Sequence, residues 1–219
     1  MKTVFFSILI ILTHLVSPAQ SNKFSVTLNP FSFLERDGGI TPGIGYNFNN
    51  RISIFTDLGL IFFSAGTYTG GLVETDKSFG YKVKPALRFY VRNNKLQQGS
   101  FLELEGLYKH VVYHATDEVN VLDNNGNLAY TYIGGYKIKK DVYGLSVKYG
   151  YRFFLNNEKR LGMDVYVGLG SRTKGFVTSG LPANAQPDND PFSNRFFNFF
   201  WRRGNSISIP AGAKLFYNF

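Results

Sequence analysis

The chain has 219 residues, 17% of them aromatic and 18% charged, with no cysteine and a formal net charge of +9. The missing cysteines exclude disulfides, thiolate metal sites, a cysteine nucleophile and a lipoprotein anchor. Aromatics this frequent, with charges below the roughly 25% usual in soluble domains, are unusual for a cytosolic globule. The net charge raises nucleic acid as a partner, a reading that the distribution of the charges argues against.

Lys2 precedes an apolar run from Val4 to Val16, and Ser17-Pro18-Ala19 places small residues at both recognition positions of a signal peptidase. We expect residues 1–19 to be a cleaved signal peptide and residues 20–219 the exported domain. A helix needs about 20 apolar residues to cross a bilayer, whereas this run stops after thirteen. Removing Lys2 leaves a net charge of +8, so the segment does not account for the basicity.

From there on, apolar and polar residues alternate with a period of two almost to the last residue. The pattern predicts eight strands, over 23–33, 40–48, 52–62, 79–92, 100–114, 140–155, 161–174 and 206–219. The connections are 35–39, 49–51, 63–78, 93–98, 115–139, 156–160 and 175–205. Apart from the short first link, the long and short ones fall on opposite ends. A membrane barrel needs that asymmetry, with short turns toward the periplasm, long loops outside and an even strand count that returns both termini to the periplasm. The expected fold is therefore an all-β, antiparallel, up-and-down transmembrane barrel of eight strands.

The two faces of the strands differ in kind. Ile54, Leu58 and Leu60, then Phe79, Tyr81 and Leu87, then Tyr143, Leu145 and Val147, then Val165, Val167 and Leu169 each share one side of their strand and are expected to face lipid. Tyr46, Phe48, Tyr149, Tyr151, Phe153, Tyr217 and Phe219 cluster near strand ends, where amphipathic rings sit best at a membrane interface. The opposite side carries charges sorted by strand. Asp57 lies on the third strand, Glu103 and Glu105 on the fifth and Asp164 on the seventh. Lys82, Lys84 and Arg88 lie on the fourth, Lys148 and Arg152 on the sixth and Lys214 on the eighth. Neighbouring strands then set opposite charges side by side in a lumen where an unpaired charge is costly. Counting from the 156–160 turn places Arg152 opposite Asp164, and a similar count places Arg88 opposite Glu103 or Glu105. With Lys109 and Arg172 added, eight bases meet four acids, so half of the +8 is distributed around an interior and nucleic acid is not expected as a partner. Pro30, Pro42, Pro85 and Pro210 each remove a ladder donor, so bulges or early strand ends are expected there, and a bulge at Pro85 would flip Lys82 and Lys84.

The final residues, Gly212-Ala213-Lys214-Leu215-Phe216-Tyr217-Asn218-Phe219, alternate and end on an aromatic residue. They resemble the terminal assembly signal of bacterial outer-membrane barrels, with Gly212, Leu215, Tyr217 and Phe219 in its spacing. Over residues 23–219 the chain resembles the small eight-stranded barrels of the OmpA-transmembrane, OmpX and OmpW type. That resemblance implies a Gram-negative outer membrane, lipid and lipopolysaccharide as surroundings and the barrel-insertion machinery as an assembly partner. It is architectural, and it brings no catalytic residues.

Few residues suggest chemistry. His110 and His114 share the outward face of Leu102, Leu104 and Tyr108. A base acting on lipid would want a nucleophile and an orienting carboxylate, yet no serine lies two residues away and Glu103 and Glu105 face inward. An interfacial histidine girdle is the plainer reading, and two imidazoles about 13 Å apart at strand rise make no metal site. No catalytic residue, metal or cofactor is expected, and no glycine pair precedes a helix as a phosphate loop would require.

The loops carry more. Residues 118–132 read as a hairpin turning at Asn124-Asn125-Gly126, so the strands on either side extend past the bilayer and expose an edge able to receive a partner strand, unless the segment is a solvated shield. The last loop holds Phe192, Phe196, Phe197, Phe199, Phe200 and Trp201, followed by Arg202 and Arg203. Three readings of that cluster stand: packing on the barrel rim, contact with lipopolysaccharide, and a surface for an extracellular protein or apolar ligand. An eight-stranded interior is just filled by side chains. The expected function is thus surface binding or envelope maintenance around a closed lumen. Carriage of small apolar molecules and lipid A modification are the alternatives.

Overall fold

The structure, a computed structural model, describes residues 23–35, 37–64, 74–91, 97–123, 125–182, 184–187 and 204–219. The expected signal peptide and the aromatic cluster from Phe192 to Arg203 lie outside the described residues. Among the described residues, eleven strands form one antiparallel sheet: β1 (Phe24–Leu28), β2 (Asp37–Ile40), β3 (Pro42–Asn47), β4 (Ile52–Ser64), β5 (Glu74–Tyr90), β6 (Gly99–Leu122), β7 (Leu128–Phe154), β8 (Leu161–Ser179), β9 (Ala185–Pro187), β10 (Gly204–Ser208) and β11 (Ala211–Asn218). Eight of them close a ring in the order β1-β3-β4-β5-β6-β7-β8-β11, with β11 returning to β1. This is the architecture of the small eight-stranded outer-membrane barrels.

The hydrophobicity of the ring is inverted relative to a soluble protein. Leu145 and Leu169 on its outer surface are 59% and 65% exposed, whereas Arg88, Glu103, Lys148, Arg152 and Asp164 inside it are buried. Such a contiguous apolar exterior has no stable resting place in water. Strand alternation alone produces it, because each of these strands carries aliphatic or aromatic residues at one parity and polar ones at the other.

Proline acts differently at its four sites. Pro30 opens a short 3-10 turn, Pro30–Phe33, so the first strand ends at Leu28 rather than continuing to residue 33. Pro42 begins β3 after a single intervening residue, Thr41, so the expected second strand is cut off from Ile40, which ends β2. Pro210 interrupts the last strand between β10 and β11, yet both pieces pair with β8 in one continuous register, from Ser208↔Gly170 to Ala211↔Val167. At Pro85 the expected bulge is absent: Val83↔Tyr108 and Ala86↔Glu105 keep one register, and the irregularity lies instead between Thr75 and Lys77. Lys82 therefore keeps its inward facing and is buried.

In the 115–139 connection the strands on either side extend well past the bounds of 114 and 140, as the hairpin reading of residues 118–132 expects. Most of the connection is strand: β6 and β7 run for 24 and 27 residues and pair continuously up to the tip. About 9 to 11 tilted residues cross a bilayer, so both strands overreach it, and residues 117–122 of β6 and 128–136 of β7, which pair with no other strand of the ring, project beyond it as a two-stranded ribbon. Tight local bonds close it. Asp123 Oδ1 accepts from the backbone N–H groups of Asn125 and Asn127, both at 2.8 Å, and Gly126 has φ of 82°. Those two bonds to the ionised form hold the Asp123 carboxyl below its ordinary pKa.

Candidate functional site

The lumen is a stack of charge clusters. At the end with the short turns, β8 presents Asp164 directly across from Arg152 of β7. Arg152 donates to it from Nε at 2.6 Å and Nη2 at 2.8 Å. Arg88 of β5 reaches the same carboxylate at 2.5 Å and Glu103 of β6 at 2.6 Å. Aromatic faces cover both guanidiniums: Arg88 lies 3.8 Å from the Phe101 ring centroid and 4.4 Å from that of Phe55, and Arg152 lies 3.9 Å from that of Phe216. Two glycines make room for those rings. A Cβ on Gly150 would sit 2.3 Å from Phe101, and one on Gly162 would sit 2.3 Å from Phe216.

One level up, Lys148 bridges Glu103 at 3.3 Å and also contacts Glu105. Lys214 lies 2.6 Å from Asp57 and 3.8 Å from Glu105. Tyr166 adds its ring beneath the Lys148 ammonium at 4.6 Å. Every one of the ten lumen residues named from sequence thus faces inward and touches an opposite charge. Lys82 and Lys84 do so with a residue that strand periodicity did not mark. Their partner is Glu35, at 2.8 and 3.5 Å.

Glu35 and Asp37 belong to the segment read from sequence as a plain link. It folds down into the barrel mouth instead. Asp37 is buried and receives Lys109 at 2.9 Å, Lys140 at 2.8 Å and the Tyr113 hydroxyl at 2.7 Å. These two acids join the four expected ones, but Lys140 is a further buried base, so a positive surplus of three remains in the lumen. Above them Ile61, Val111, Tyr113, Ala115, Val119, Tyr136, Ile138 and Phe176 form a buried apolar cluster, with Tyr132, Leu181 and Ala185 packed against it. The interior therefore passes from ion pairs to an apolar cap toward the end with the long connections.

The outer face corrects the sequence reading of the histidines. His110 does have an orienting carboxylate: β7 places Asp141 opposite it, with Nδ1 and Oδ1 2.7 Å apart. The Tyr108 hydroxyl donates to the same oxygen at 3.3 Å. Tyr81 packs against His110 at 5.7 Å and against Tyr108 at 5.9 Å, and Tyr143 lies 5.1 Å from Tyr108. Three tyrosines on three adjacent strands thus make an aromatic band, opposite in height to the rings of Tyr46, Phe48, Tyr217 and Phe219 near the short turns. Asp141 was legible by parity with Tyr143, but the expected strand began only at residue 140. Among the described residues His110 contacts the Asp141 carboxylate and the Tyr81 ring, with no hydroxyl or thiol nucleophile bonded to it.

The family described as a protein of unknown function, DUF3575, matches residues 5–174. No curated protein matches the chain. Among solved structures, the crystal structure of Acinetobacter baumannii CarO is similar at 12% identity and a TM-score of 0.44, with 93% of this chain and all 100% of that one covered.

Proposed function

The chain belongs to the DUF3575 family, whose description assigns no activity, and we propose that it is an integral outer-membrane barrel with a closed, charge-paired lumen that acts through its outer surface in binding or envelope maintenance. The observation that carries this reading is the continuous stack of side chains from Arg152 and Asp164 up to Asp37 and the apolar cap. Buried ions in such a network are held by their partners, and an open water column would loosen them. The apolar exterior supports membrane residence. The projecting ribbon of β6 and β7 then rises on the external side, while the termini and short turns are periplasmic. Lipid, lipopolysaccharide and an extracellular partner are the proposed contacts, and the insertion machinery is the proposed assembly partner. The cap favours carriage of small apolar molecules as a second reading, and the charged lumen beneath it counts against transfer through the barrel.

The test compares gene-deleted cells that produce either the full chain or a variant with residues 118–132 replaced by a short turn. Both forms should insert, and only the full chain should restore envelope resistance to detergent. Full rescue by the shortened form would remove the ribbon from the function. Lipid A from cells with and without the gene should be chemically identical. Deacylation or dephosphorylation that depended on the gene would replace the binding reading with an enzyme acting through His110 and Asp141.

A further inference from the structure

Directly above the tyrosine band, the outward surface of β6, β7 and β8 is hollowed into an open groove of about 600 Å³. His114, Thr116, Gly135, Lys137, Lys139 and Ser179 line it on the outward side, and Ala115 and Tyr136 of the apolar cap form part of its floor. The register explains why they converge: His114 pairs with Lys137, which pairs with Ser179, and Thr116 pairs with Gly135. One row across three strands thus presents an imidazole, an ammonium and a hydroxyl side by side, with a second ammonium two residues below. Gly135 opens onto this hollow, and a Cβ there would meet no atom within 4 Å.

Charge separates this surface from the rest of the barrel. The inward lysines 82, 84, 109, 140, 148 and 214 all contact carboxylates. Lys137 and Lys139 are exposed and have no ion pair among the described residues. The acid nearest along the strand, Asp141, is already engaged by His110 and Tyr108. Lys139 lies four residues above Tyr143, about 13 Å along the strand and less along the membrane normal because barrel strands tilt. That height is where lipid headgroups begin, and lysines there reach their ammonium groups toward phosphate.

We propose that this groove holds the phosphorylated sugar headgroup of an outer-leaflet glycolipid, its phosphate between Lys137 and Lys139 and its sugar hydroxyls against His114, Thr116 and Ser179. The proposal rests on the outer-membrane reading for its orientation. The site itself is an open surface of exposed basic groups and hydroxyls gathered from three adjacent strands.

The test uses the folded full chain in non-ionic detergent and native mass spectrometry to count bound lipid. Lipid A bearing its phosphates should be retained at one copy per barrel. Retention should fall at least tenfold in the Lys137→Gln/Lys139→Gln variant and in Gly135→Trp, whose Cβ meets open space and whose ring would occupy the groove. Lipid A stripped of phosphate should bind no better to the wild type than to the double variant. Equal retention in all forms would overturn the site. Equal retention of phosphatidylglycerol would overturn the glycolipid assignment, and displacement of lipid A by millimolar inorganic phosphate would show a free-anion site instead. A chain that stays monomeric and folded without detergent would refute the membrane reading separately, since heat-modifiable mobility reports folding in every variant.

Discussion

The lower barrel and the projecting ribbon are built from the same two strands by opposite means. Below, β6 and β7 contribute Glu103, Glu105, Lys148 and Arg152 to a shared network whose members contact charges from β4, β5, β8 and β11. Above residue 136, β7 pairs only with β6 among the described residues, and Tyr130 and Ile133 are 60% and 75% exposed. The register of the lower half is held by many long-range pairs, each of which would be lost if one strand slipped by a residue. The ribbon depends on a single turn and the ladder itself, with three residues of β9 supporting one edge of β6. Damage below should therefore spread through the whole barrel, whereas damage above should stay local.

The largest effect expected from breaking the lower network is at Asp164. Asp164→Asn leaves Arg152 without its carboxylate and Arg88 with Glu103 alone. Removing one partner of a buried pair costs about 3–5 kcal/mol, so urea unfolding of the micelle-embedded barrel should shift by that amount. No shift would mean that solvent reaches the cluster. A smaller loss is expected from Gly150→Ala, because its Cβ would come within 2.6 Å of the Val165 carbonyl as well as striking Phe101. Overpacking of this kind costs about 1–3 kcal/mol, measurable in the same unfolding experiment, and it should also displace the ring that covers Arg88.

In the ribbon the expected effects are confined to the tip. The Asp123 carboxyl is held below its ordinary pKa, chiefly by the backbone N–H of Asn127. A depressed folded value means that its contribution is complete above the unfolded value of about 3.9 and is lost as pH falls through the lower folded value. The amide resonances of Asn125 and Asn127 should follow that titration, with a midpoint below 3.9, while those of the lumen-lining strands stay unchanged. A midpoint at the ordinary value would remove the two hydrogen bonds from the turn.

How much was legible in the sequence follows the same division. Where alternation was unbroken and a tight turn anchored the count, residues could be paired closely: Arg152 with Asp164, and Arg88 with Glu103 or Glu105, between which the register selects Glu103. Glu35 and Asp37 were not legible, because they follow a proline-initiated 3-10 turn that carries the chain inward with no strand period to count. The length of the ribbon was half visible. Its turn at residues 124–126 could be read, but the mixed polarity of residues 128–139 hid a strand whose faces both meet solvent near the tip and of which only Tyr136 and Ile138 are buried. Asp141 fell just at that border, so its pairing with His110 emerged only from the three-dimensional register.

The closed lumen is the claim on which the rest depends, and planar-bilayer recording of the folded full chain tests it most directly. We expect no persistent conductance steps from the wild type at moderate voltage, because ion pairs and the apolar cap fill the described interior. Long-lived, ohmic openings of the wild-type barrel would contradict the closed lumen and make transport, rather than surface binding, the function to pursue.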